Sequence, residues 1–92
     1  GFSRADQDAF ATTSVERARA AIGSGAFHAE IAPVTVKGRN GDSTVAIDEE
    51  PARCDLARIP TMRPAFAKDG TVTAATSSSI SDGAAALVVM SG

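Results

Sequence analysis

The feature that most constrains this chain is an unbroken apolar run, Leu87-Val88-Val89-Met90. A short continuous run of this kind is the pattern of a strand buried on both faces. Such a strand needs neighbours on either side, and the rest of the sequence offers few. Upstream, the β-branched Thr71, Val72 and Thr73 predict another strand. Small polar residues follow from Thr76 to Ser79, and Ser81-Asp82-Gly83 before three alanines predicts a capped helical turn. The stretch from Gly70 to Gly92 therefore reads as a piece of a larger α/β protein.

Composition narrows the partners more than the fold. Ninety-two residues suffice for one small domain at most, and small domains bury proportionately little surface. The net charge of -2 favours neither nucleic acid nor an anionic membrane as a partner. No tyrosine or tryptophan is present, which removes the usual stacking platforms for single-stranded nucleic acid. No apolar stretch is long enough to span a bilayer, and no basic segment with an apolar core predicts a secretory leader. The single cysteine, Cys54, excludes an intrachain disulfide and fits a reducing compartment.

Local patterns predict three units before the terminal stretch. Ala11, Val15, Ala18 and Ile22 recur at helical spacing with Phe10 beside them, while Glu16 and Arg19 point elsewhere. Ser3 with Asp6 three residues on is a capping-box variant, and Gly23 is a natural stop. Next, Val34 and Val36, then Val45 and Ile47, alternate with less apolar neighbours on either side of Asn40-Gly41. That pattern predicts a hairpin, a surface arm more than a core. Asp48-Glu49-Glu50-Pro51 breaks the alternation, and Arg53 to Phe66 reads as loop with at most a helical turn at Leu56 to Ile59.

The residues that could do chemistry are few. No G-x-S-x-G nucleophile elbow occurs, and His28 is the only histidine, placed where a solvated surface residue sits. Asp48-Glu49-Glu50 is the densest acidic run, but it lacks the clustered Cys and His of a metal site and reads as a solvated loop. Anion binding is the third candidate. Small residues from Ala74 to Ser79 permit close backbone approach, and Arg53, Arg58 and Arg63 recur along the preceding loop. Arginines so spaced also read as a row facing water.

Four motifs in order carry a family resemblance. Asp6 to Ala11 (DQDAFA), Gly25 to Val34 (GAFHAEIAPV), Arg63 to Gly70 (RPAFAKDG) and Gly70 to Ser91 (GTVTAATSSSISDGAAALVVMS) resemble the thiolases. That family includes acetyl-CoA acetyltransferases and 3-ketoacyl-CoA thiolases. The resemblance implies a thiolase-like α/β fold. Of it this chain would hold the inserted loop domain, residues 1–80, comprising a helix, a hairpin and an irregular loop. A short helix and a core strand, residues 81–92, would follow.

The resemblance also implies roles. The loop domain binds coenzyme A, and the family's pantetheine-contacting serine falls on Ser78. Ala74 matches the small residue lining the pantetheine tunnel, and Phe66 an apolar residue of the same wall. The acidic run before the loop is similar to that of the short-chain acetoacetyl-CoA thiolases. Arg53 and Arg58 then fall near the nucleotide end of coenzyme A, with Cys54 between them. Ala75, Thr76, Ser79 and Ser81 depart from the common Gly, Asn, Gly and Asn, and Ser79 for glycine restricts the backbone.

Ping-pong acyl transfer in the family uses cysteines and a histidine in CxS, GHP and CxGGG segments, none of which occurs here. The expectation is a substrate-binding segment with no catalytic residue, no tightly bound cofactor and a coenzyme A thioester, acetyl-CoA or acetoacetyl-CoA, as substrate. Its partners would be the remainder of a thiolase chain and further copies in a dimer or tetramer. It would be cytoplasmic, or in the mitochondrial matrix or peroxisome in a eukaryote. The competing readings are a self-standing module for coenzyme A or another nucleotide, and an oligomerisation arm.

Overall fold

The computed structural model describes residues 1–92, and its organising element is one helix, α1, from Arg4 to Ser24. Its start is a complete capping box: Asp6 N–H donates to Ser3 Oγ at 3.1 Å, and Ser3 N–H donates to Asp6 Oδ2 at 3.0 Å. The Ser3 hydroxyl also donates to Asp6 Oδ2 at 2.6 Å. The helix continues past Gly23, the expected stop, and ends at Gly25. There φ is 70°, a left-handed conformation that glycine adopts without steric cost. A single glycine weakens a helix by only about 1 kcal/mol, so Gly23 alone does not end it. The termination lies where the chain needs positive φ, and Gly25 and Ala26 N–H groups close it on Ile22 and Ala21 carbonyls.

The predicted stripe is present, with Ala11 buried and Val15, Ala18 and Ile22 half-buried. It extends one turn further back through a charged pair, Arg4 and Asp8, joined by a 2.8 Å ion pair. Phe10, beside the stripe, is 78% exposed.

The hairpin pairs β1, Val34–Val36, with β2, Ser43–Val45, antiparallel and with Val34 opposite Val45. Every residue of both strands is exposed. Only Gly41, at φ 116°, takes positive φ in the connection, so the chain turns through a longer loop than a two-residue Asn-Gly turn. Ile47 lies beyond the paired residues.

Beyond the hairpin the chain has no ladder. A single helical turn, α2 (Glu50–Arg53), forms where the acidic run meets Pro51; proline suits the first turn because no donor is required of it there. A 3₁₀ segment follows from Leu56 to Thr61, begun by Asp55 Oδ1 accepting from Ala57 N–H at 3.1 Å. A second, shorter one runs from Ala74 to Thr76. All three pack on α1. Ile59 and Thr73 are fully buried there, and with Asp8 and Ala11 they complete the buried set.

Two stretches differ from the expected secondary structure. Thr71 to Thr73 forms no strand: Val72 C=O accepts one bond, from Ala65 N–H at 2.8 Å, and Thr73 starts the second 3₁₀ segment instead. Residues 81–92 adopt neither the helical turn nor the strand. Leu87, Val88, Val89 and Met90 are 81–94% exposed. Strand formation requires a partner to take the backbone bonds, and nothing in these residues supplies one.

With four buried residues, the Cα radius of gyration is 17.6 Å. A compact domain of this length would have about 12 Å. So small a core does not outweigh the backbone entropy of ordering the chain. The isolated polypeptide is expected to show no cooperative thermal transition and to self-associate through its apolar tail. Monomeric sedimentation with a sharp melt would contradict this.

The cap gives a second expectation. The Ser3 hydroxyl and then the Ser3 backbone N–H, both bonded to Asp6, hold its carboxyl below the ordinary 3.8. A folded-state value lowered in this way stabilises the cap above 3.8, and the contribution is lost as pH falls through the lowered value. In Ser3→Ala the Asp6 carboxyl should titrate closer to 3.8, as read by side-chain NMR.

Candidate functional site

The polar run Thr73 to Ser78 folds into a tight knot of hydroxyl bonds. Thr76 Oγ1 accepts from Thr73 N–H at 2.9 Å and donates to Thr73 C=O at 3.2 Å. Ser77 Oγ donates to the same carbonyl at 2.8 Å. Local side-chain bonds of this kind compete with strand formation, which explains why the β-branched residues here make a turn. Ser78 stands outside the knot, exposed and lining a groove of about 730 Å³ between this turn and the first half of α1. Phe2, Phe10, Ser14 and Val15 line its other side.

Ala74 opens the turn that carries Ser78, so these two expected site residues lie within one short segment. Phe66 lies apart from the groove lining and is 85% exposed. Arg53 ends α2, Cys54 follows it as a half-buried free thiol, and Arg58 lies exposed in the first 3₁₀ segment. The structure thus forms two groups, the Ala74–Ser78 turn and the Arg53–Arg58 stretch, both seated on α1, and the groove takes in only Ser78 of the six.

Charge in the second group is already partnered in part. The Arg53 guanidinium pairs with Glu49 and lies 3.9 Å from Glu50, so the acidic run meets a cation and not only water. Asp48 Oδ1 accepts from Glu50 N–H at 3.4 Å. No cluster of three or more His, Cys, Asp or Glu could hold a metal ion. No helix is long and apolar enough to cross a membrane.

Sequence reasoning missed the residues that fix these groups. Arg19, placed by the stripe on the outward side, donates from Nε to Pro51 C=O at 2.7 Å and from Nη2 to Cys54 C=O. Arg4 donates from Nη2 to Ile59 C=O at 3.2 Å and Met62 C=O at 2.8 Å. Arg4 and Asp8 could have been found as an i, i+4 pair in phase with Ala11 and Val15. Nothing in the local pattern marks Arg19.

The sequence profile described as thiolase, N-terminal domain, matches residues 1–92. An acetyl-CoA acetyltransferase of Yarrowia lipolytica is 46% identical over 92 residues, covering 100% of this chain and 23% of that protein. The mitochondrial acetyl-CoA acetyltransferase B of Xenopus laevis is 53% identical over 91 residues, covering 96% and 21%. Among solved structures, the acetyl-CoA acetyltransferase from Syntrophomonas wolfei superposes with a TM-score of 0.70 at 40% identity, covering 79% of this chain and 18% of that one. The chain spans about a quarter of the curated relatives it matches. Its long helix, two-stranded hairpin and short helices are a part of that fold, and the chain belongs to the thiolase family.

Proposed function

We propose that this chain is the coenzyme A-binding segment of an acetyl-CoA C-acetyltransferase. Such an enzyme condenses two acetyl-CoA, or thiolytically cleaves acetoacetyl-CoA or another 3-ketoacyl-CoA, by ping-pong acyl transfer. The observation that carries the reading is the Ser78 hydroxyl. Thr76, Ser77 and Ser78 all line the open groove, but the first two commit their hydroxyls to Thr73 and Ser78 does not. A free hydroxyl can both donate to and accept from the amides of a pantetheine arm. The family resemblance would give Ala74 the task of leaving room for the arm and Phe66 that of an apolar wall, although neither lines the groove at Ser78. Arg53, Cys54 and Arg58 lie toward the nucleotide, where a guanidinium can pair with phosphate or stack on a purine.

In this reading the acyl-transferring groups belong to the rest of a thiolase polypeptide, which assembles as a dimer or tetramer. Residues 1–80 form its loop domain, and residues 81–92 become helix and strand when a sheet is present to receive them. It works in the cytoplasm, or in an organelle as the name of the Xenopus relative indicates for that protein. The exposed Leu87 to Met90 run weighs against a self-standing module, since an unpartnered apolar segment invites aggregation.

The test host is the Yarrowia enzyme with its matched segment replaced by residues 1–92. Ser78→Ala should lower kcat/KM by an amount equivalent to about 1 kcal/mol, the net worth of one hydrogen bond. Ser78→Leu should lower it far more by filling the groove. A leucine variant with unchanged kinetics on acetoacetyl-CoA would remove Ser78 from the pantetheine path.

In the same host, Arg58→Ala and Arg53→Ala should raise KM with kcat nearly unchanged, because the nucleotide is bound equally in ground and transition states. Arg58→Ala should cost more, since Arg53 already shares its charge with Glu49 and Glu50. Both losses should shrink as salt rises. They should also vanish with a pantetheine thioester that lacks the nucleotide. Equal losses on the two substrates would mean that these arginines only shape the loop.

A further inference from the structure

A helical turn of four residues does not hold itself, because nucleating a helix fixes several residues for one hydrogen bond. The turn α2 nevertheless carries Arg53, and what fixes it lies on another element. The Arg19 guanidinium reaches Pro51 C=O at 2.7 Å through Nε and Cys54 C=O through Nη2. These two carbonyls bracket Arg53. Pro51 is the second residue of the turn and Cys54 its C-cap, and the last four carbonyls of a helix lack intrahelical donors. A planar guanidinium fork suits the task, since it supplies two donors from one rigid group.

Arg4 grips the same segment at its other end, through Ile59 and Met62 carbonyls, so Arg58 lies between two anchored points. The two anchors differ in what else they hold. Arg4 is ion-paired to the buried Asp8, so its removal would leave that carboxylate unpaired and weaken packing. Arg19 forms no ion pair, and its bonds go to the two carbonyls alone. Its removal frees the turn without stripping a buried charge.

We propose that Arg19 is a positioning residue for the nucleotide end of the coenzyme A thioester, acting through the backbone that carries Arg53 and Arg58. This rests on the function proposed above. Arg19 touches neither substrate nor reacting atoms; it sets where the two arginines stand, and the Ala74–Ser78 turn lies outside its reach in the bond network.

The experiment uses the full Yarrowia enzyme carrying residues 1–92, assayed with acetoacetyl-CoA and with the acetoacetyl thioester of pantetheine. Arg19→Ala, which loses both carbonyl bonds, should raise KM for acetoacetyl-CoA about two- to tenfold, the range expected if the contact it positions is weakened by one net hydrogen bond. It should leave kcat and the KM for the pantetheine thioester unchanged. Arg19→Lys, a point donor that cannot fork, should fall between, and Arg17→Ala, on the exposed side of α1, should match the parent. Equal losses on both substrates would reduce Arg19 to a merely structural residue and overturn the proposal. No loss in Arg19→Ala, with the nucleotide-specific loss of Arg58→Ala intact, would overturn it too. If Arg53→Ala and Arg58→Ala themselves show no nucleotide-specific loss, the underlying function fails and this inference with it. Should Arg19→Ala not fold, Arg19→Lys decides on the same two substrates.

Discussion

Two arginine side chains on one helix hold the irregular half of this chain in place. From Glu50 to Thr76 no strand ladder forms, so what ties the segment to α1 comes from side chains. Arg4 and Arg19 each supply two hydrogen bonds. They stand fifteen residues apart on α1, about 22 Å along the axis at the usual rise per residue. Between and beyond those anchors, Ile59 and Thr73 bury against the helix. Full burial of an isoleucine contributes about 1.5–3 kcal/mol, which is small against the entropy of ordering so long a segment. The four hydrogen bonds fix which carbonyls meet the helix, and the few apolar contacts press the segment onto it.

How much of this was legible in the sequence follows from where the forces are local. The cap at Ser3 and Asp6 and the stripe at Ala11, Val15, Ala18 and Ile22 act within a few residues, and both were readable. The hairpin was readable for the same reason, although its turn is looser than Asn40-Gly41 suggested. Arg19 was not, because its partners lie 32 and 35 residues away and no periodicity records them. Thr71 to Thr73 misled because β-branching favours a strand only where a partner strand exists, and here hydroxyl bonds onto Thr73 C=O took precedence. Leu87 to Met90 carries a strand's composition without a sheet in these residues to complete it.

The candidate site shows the same division. Residue types alone leave Thr76, Ser77 and Ser78 equivalent as hydroxyl donors. Only the turn separates them: all three line the groove, but it commits the first two to Thr73 and leaves the third without an internal partner. The arginines likewise look alike on paper. The structure distinguishes them by neighbourhood, with Arg53 drawn to Glu49 by the i, i+4 spacing of a single helical turn.

A segment held by carbonyl bonds to side chains differs physically from one held in a sheet. A ladder fixes each residue through several neighbours, so its geometry survives the loss of any one bond. Here single guanidinium groups hold several residues each, and the stretch between anchors keeps its own freedom to adjust. The turn at Ala74 to Ser78 is stiffened by its own hydroxyls and can present one donor at a fixed place. The Arg53–Arg58 stretch has turn bonds of its own and is tied to α1 through Arg19 on one side and Arg4 on the other. The two groups share no direct side-chain bond, and what joins them is the helix on which both pack.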